Sequence, residues 1–226
     1  MRPFVAVVTK LLSIGIVGLT AVGCATTEPK HFQQLSSTAQ LRSNAGSNHP
    51  FLYRGENVNF SRYSSVIVDP VTVYEAGDGQ FGTVKGEDKA IVANYLGEQL
   101  NKALATKYSI VQAPSPSTAR IKATLTGMAT STPVLSTMMR LAPGGLLMNT
   151  RKAITGDEGM LMGSITYAVE ITESTDNQLL CAYVRKSNPH AMDIGSTIGY
   201  LDASKTGADR AAKDLLKFLE ANCNPP

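Results

Sequence analysis

The amino-acid sequence predicts an α+β domain: a mainly antiparallel sheet of about five strands, two helices packed on one of its faces, and a polar segment ahead of it. Three observations carry this expectation. Two long stretches, 87–106 and 205–221, repeat apolar residues at helical spacing, whereas the runs at 65–74, 119–128, 163–173 and 178–185 are β-branched or alternate with period two. Between the last two of those runs, Ser174-Thr175-Asp176-Asn177 has the chemistry of a hairpin turn.

Taken in order, the run from Ser65 to Tyr74 is rich in Val and Ile and reads as a strand. Pro70 has no N–H to give to a ladder, so it predicts a break or an edge there. The next element places Ile91, Val92, Tyr95, Leu96, Leu100, Ala103 and Leu104 on one helical face, with Glu87 and Asp88 in the first turn where the helix dipole favours acids. Ser109 to Val111 returns as a short strand. From Ala119 to Met128, Ile121, Ala123 and Leu125 alternate with Lys122, Thr124 and Thr126, which predicts one buried face and one wet face. After the hairpin and a loop with Pro189, Gly195 and Gly199, the closing helix turns Ala211, Ala212, Leu215, Leu216 and Leu219 inward.

Ahead of the domain, Arg2 and Lys10 flank the first ten residues, no acid accompanies them, and an apolar stretch runs from Leu11 to Val22. Twelve helical residues reach about 18 Å, short of the roughly 30 Å hydrocarbon core, so the segment reads as a cleavable signal peptide, 1–23. Ala21-Val22-Gly23-Cys24 resembles the lipobox of bacterial lipoproteins, in which the cysteine is acylated and becomes the new amino terminus. Cys24 is therefore the expected lipid anchor. Ala25 follows it rather than the aspartate that retains lipoproteins at the inner membrane, and by resemblance to that sorting rule the expected site is the outer membrane facing the periplasm. Residues 24–50, polar and weakly periodic, are expected to form a flexible tether, partly ordered at most, with Leu35 and Leu41 able to dock a short turn on the body, and 51–226 a single periplasmic domain.

Composition narrows the partners. The formal charge of +3 owes two units to Arg2 and Lys10, and without them 19 basic residues face 18 acidic ones. A nearly neutral chain with no basic stripe is not expected to bind nucleic acid. Besides Cys24 there are only Cys181 and Cys223, which an oxidising compartment allows to pair; separate thiols are the alternative.

The segment from Val134 to Thr150 is rich in Met and Leu. Its Leu135, Met138, Met139, Leu141, Leu146, Leu147 and Met148 read either as a cap over an open sheet end or as a partner- or membrane-contacting surface. Gly77-Asp78-Gly79-Gln80-Phe81-Gly82 is a literal GxGxxG, but Gly86 and three more residues separate it from the expected helix start. A flexible loop is expected there, and no cofactor. The histidines, His31, His49 and His190, fall in expected tether and loop regions without metal-ligand spacing, so neither a metal nor a catalytic base is expected. Glu170 and Glu173, three apart on a strand, point to opposite faces and read as surface acids.

The run from Tyr63 through Asp69-Pro70-Val71 to Val73-Tyr74 resembles a family of bacterial lipoproteins grouped as domain of unknown function 3313. So do Glu87-Asp88, Pro114 and Pro116 before Ala119-Arg120, and the Gly163-Ser164 strand with Glu170. The similarity runs from about residue 50 to the last helix; Asp176-Asn177 departs from the Thr-Gly usual in the family's turn. The resemblance implies an envelope lipoprotein and brings no catalytic residue with it. In element order the chain also resembles periplasmic domains of the TolB amino-terminal and curli-secretion lipoprotein groups, which bind protein partners. The expected function is a non-enzymatic, membrane-anchored partner-binding or scaffolding protein, the alternative an enzyme or carrier acting on a lipid or cell-wall fragment.

Overall fold

A computed structural model describes residues 28–56, 58–130, 163–189 and 200–222. The strands are β1 (Arg42–Ser43), β2 (Phe51–Arg54), β3 (Ser65–Val68), β4 (Thr72–Val73), β5 (Ser109–Ile110), β6 (Thr118–Ala129), β7 (Ser164–Glu173) and β8 (Leu179–Ser187). The α-helices among the described residues are α1 (Gly86–Leu104) and α2 (Asp202–Asn222). All eight strands join one sheet in the order β1-β2-β8-β7-β6-β3-β5, with β4 also paired to β6.

The α+β class holds, but the expectation of about five mainly antiparallel strands is corrected to eight in a mixed sheet. One cause is α1: it carries the chain back along the sheet, so β5 enters parallel to β3, and β6 likewise runs parallel to β3. The other lies ahead of β3: β2, at the start of the expected domain, pairs antiparallel with β8, and the expected tether contributes β1, which pairs antiparallel with β2. Pro70 falls in the gap between β3 and β4, which lie end to end along β6. The turn after β7 closes with Asn177 at φ 61, a left-handed position that Asn tolerates well.

Register defines the two faces. Ile121, Leu125, Tyr167, Val169 and Ile171 point at the helices and are buried. Against them α1 sets Val92, Leu96, Leu100 and Leu104, and α2 sets Ala208, Ala211, Leu215 and Phe218. Ile91, expected on this face, is exposed. The helices run parallel to each other, because Tyr95 Oη donates to Asp209 Oδ1 at 2.9 Å near their starts and Lys107 pairs with Glu220 near their ends. Gly207 brings α2 close to the sheet: a Cβ there would lie 3.0 Å from the Ser187 carbonyl oxygen.

The domain thus has two ends. At the hairpin end lie the 174–177 turn, the start of β6 and the carboxyl termini of both helices. At the other, the glycine-loop end, lie the end of β6, the start of β7, the loop 77–82 and both helix amino termini. The literal GxGxxG is docked there rather than loose. Gln80 bridges to Gly127, its N–H donates to the Thr126 carbonyl at 2.8 Å, and its own carbonyl accepts from Met128 at 3.0 Å. Gly127 is required by that approach, since a Cβ would lie 2.7 Å from Gln80 Cβ.

Candidate functional site

The face of the sheet turned away from the helices is polar, carrying Lys122, Thr124, Thr126, Ser164, Thr166 and Glu170. The expectation of a wet face is corrected, because most of these side chains are buried. Over Glu170 and Lys122 the cover is the segment expected to be tether, whose residues 28–41 form a strap docked on the domain. Phe32, Leu35 and Leu41 are buried, and Phe32 meets the Tyr74 ring edge-on at 5.2 Å. Three amides of this strap donate to side chains of the body. Gln33 bonds Asp78 Oδ2 at 3.1 Å, Gln34 bonds Tyr74 Oη at 3.0 Å and Ser37 bonds Glu170 Oε1 at 2.5 Å. The strap begins at Glu28, whose carbonyl accepts from Gln80 Nε2 at 2.8 Å.

Glu170, expected as a surface acid, is only 4 % exposed. A buried carboxylate is costly unless its charge is met, and here two groups meet it. The Ser37 N–H donates to one oxygen, and Lys122 Nζ, directly across the strand pair, lies 3.7 Å from the other. Tyr74 Oη donates to Asp78 Oδ1 at 2.8 Å; burial, reinforced by that bond, raises the phenol above its ordinary pKa. The bond in turn holds the Asp78 carboxyl below the usual carboxylate range.

Between strap and sheet a cleft of about 790 Å³ opens, lined by Gln34, Leu35, Thr72, Tyr74, Lys122 and Thr124 among others. The Thr72 and Thr124 hydroxyls are 3.2 Å apart on its floor, and Glu75 stands at the wall. An amide, two hydroxyls, an ammonium and a carboxylate around a partly apolar floor can hold a small polar molecule by hydrogen bonds. Among the described residues no three of His, Cys, Asp and Glu cluster as metal ligands would.

On the helix side, Glu173 is also buried, at 6 % exposure: Tyr63 Oη donates to Oε1 at 2.5 Å, and Arg62 forms an ion pair with it. The two acids do face opposite ways, as their spacing requires. His49, expected in a loose tether, is packed beneath α2, 4.7 Å from the Tyr183 ring and 5.0 Å from Phe218. Burial, with Arg185 nearby, lowers its pKa from 6.5 to about 4, so it is neutral at neutral pH. Arg185 itself reaches Asp214 of α2 at 3.0 Å.

Of the residues singled out in the sequence, Cys181 lies fully buried on β8 and is disulfide-bonded, with its partner outside the described residues. Cys24 and Cys223 lie outside them, as do Leu135, Met138, Met139, Leu141, Leu146, Leu147 and Met148. Phe32 and Ser37 carried no expectation in the sequence, and Tyr74, Lys122 and Glu170, though placed on strands, were not brought together with them. A signal was present for two of them. Phe32 is an aromatic in a mostly polar stretch, and Glu170 stands directly between Val169 and Ile171 in a strand.

No helix among the described residues is long and apolar enough to cross a membrane. No curated protein matches the chain. In structure the chain is similar to a point variant of the PelC dodecamer from Paraburkholderia phytofirmans, at 8 % identity and TM-score 0.38, over 73 % of this chain and 93 % of that one. It is also similar to a DUF330 protein from Xanthomonas campestris, at 10 % identity and TM-score 0.37, over 74 % and 88 % of the two chains. A candidate lipoprotein from Caulobacter crescentus shares 14 % identity at TM-score 0.31, over 74 % and 98 %. In sequence, residues 31–215 match the family model DUF3313, described as a protein of unknown function, and the chain belongs to that family.

Proposed function

We propose that this protein is a lipid-anchored envelope protein that works by binding another protein close to the membrane, without chemistry of its own. One observation carries the reading: the amino-terminal segment is docked on the domain from Glu28 onward, through the Gln80 bond and the buried Phe32, Leu35 and Leu41, so a lipid on Cys24 would hold the folded body at short range instead of on a long leash. A body fixed in this way suits a scaffold that must meet its partner at a set distance from the bilayer. The outer membrane is the proposed site, from Ala25 after the lipidated cysteine. In-cell crosslinking at native expression, followed by mass spectrometry, tests partner binding. A reproducible envelope protein crosslinked to this chain supports the reading, and recovery of the monomer alone contradicts it.

The cleft between strap and sheet favours a second reading, in which the protein carries a small polar fragment of lipid or cell wall. Lys122 and the two threonine hydroxyls would be the contacts. Native mass spectrometry of protein released gently from membranes separates the two readings: a bound small molecule that Thr124→Val removes favours the carrier.

A further inference from the structure

We infer that the glycine-loop end of the domain is a membrane-contacting surface, and that Ile91 and Tyr200 rest on the lipid. The inference rests on the lipid-anchor reading and adds to it an orientation. Only Ala25, Thr26 and Thr27 separate Cys24 from Glu28, and four residue steps span at most about 14 Å. Glu28 is pinned to Gln80, which bridges to Gly127 at the end of β6. The domain is therefore tied at its glycine-loop end. The hairpin end lies the length of β6 away, roughly 36 Å for its run of residues.

The surface exposed at the tied end fits that neighbour. Three large hydrophobic side chains are exposed among the described residues, and two of them, Ile91 at 46 % and Tyr200 at 50 %, belong to this end. Ile91 lies one turn before Tyr95, which bonds Asp209 of α2, so it stands level with Lys205, and Tyr200 lies just beyond the start of α2. Both thus sit near the amino termini of the parallel helix pair. An exposed isoleucine gains by leaving water, and a tyrosine suits the headgroup region, with its ring in the apolar layer and its hydroxyl in the wet one. The third, Ile110, is on the edge strand β5, nearer the hairpin end.

Charge does not compete with this placement. Lys30, Lys85, Lys89 and Lys205 are interspersed with Glu28, Asp78, Glu87, Asp88 and Asp202 at the same end, so neither attraction to anionic lipid nor repulsion from it dominates. Acyl chains and apolar contact are left to set the orientation.

The test uses full-length acylated protein in vesicles of phosphatidylethanolamine and phosphatidylglycerol. Single cysteines at Ile91→Cys, Tyr200→Cys and, in the hairpin turn, Thr175→Cys carry a fluorophore, the native Cys181 being held in its disulfide. Nitroxide-bearing lipids then quench labels that touch the bilayer. Several-fold stronger quenching at 91 and 200 than at 175 is expected, and equal quenching at all three positions, or strongest at 175, overturns the inference. The intact mass of the same samples reports acylation, so a missing lipid counts against the anchor reading, whereas acylated protein without the quenching pattern counts against the orientation alone. An Ile91→Asp, Tyr200→Asp variant, labelled at Lys89→Cys, is expected to lose contact while staying acylated and folded.

Discussion

Replacing Phe32 with alanine tests the strap. The ring is fully buried, packs edge-on against Tyr74 and shares the apolar cluster of the domain with Leu35 and Leu41. Removing a buried phenylalanine costs about 3–5 kcal/mol when the surroundings cannot close over the gap. The strap lies on the surface of the body and can move, so the cost here is expected at the lower end, about 3 kcal/mol. That is a large share of a typical domain stability of about 5–15 kcal/mol. A second consequence follows from the hydrogen bonds. The amides of Gln33, Gln34 and Ser37 donate to side chains of the body, not to their own segment, so they are protected only while the strap is docked. Urea unfolding of a soluble form beginning at Ala25 measures the first effect, and amide hydrogen exchange measures the second. A lower midpoint together with fast exchange at all three amides is expected. An unchanged midpoint with the three amides still protected would refute the reasoning that the strap is held by its aromatic.

His49 predicts acid sensitivity. Its folded pKa, about 4, lies below the ordinary 6.5, so the unfolded chain binds more protons between those values. The contribution to stability is whole above pH 6.5 and is lost as pH falls towards 4; in His49→Gln the slope of stability against pH across that window is expected to flatten, and an unaltered slope would contradict the assignment. Gly127→Ala drives a Cβ to 2.9 Å from the Gln80 carbonyl oxygen as well as against its Cβ, and by overpacking is expected to cost about 2 kcal/mol in chemical unfolding. An unshifted midpoint would show that the loop 77–82 is free to yield. For the disulfide, Arg185 meets Asp214 and Tyr183 meets Phe218, so two residues down β8 match four along α2, and one further step sets Cys181 level with residue 222, next to Cys223. Peptide mapping without reduction is expected to find Cys181 joined to Cys223, and Cys223→Ser to cost about 4 kcal/mol by loop entropy; a Cys181 peptide joined to anything else contradicts this.

Where local pattern decides structure, the fold was legible. Both helices, the four longer runs of strand, the break at Pro70 and the turn at Asp176-Asn177 follow from spacing and backbone chemistry. Pairing direction was not legible, since Ser109-Ile110 has no pattern of its own that says whether it runs with β3 or against it. Nor was the strap: residues 28–41 have no period, and they are held by a few isolated apolar side chains and by amides bonded to distant residues such as Asp78 and Glu170. The candidate site was hidden for the same reason. Lys122 and Glu170 are neighbours only because β6 and β7 pair in one register, and Glu170 can be buried only because the strap brings the Ser37 N–H to it. In the sequence alone, an acid on an alternating strand belongs to the wet face.

Mass spectrometry of the protein purified from membranes reads the state of the amino terminus directly. The predicted result is an acylated chain that begins at Cys24, with Cys24→Ser released from the membrane fraction. A chain that begins elsewhere, or an unmodified Cys24 in membrane-bound protein, would contradict the account.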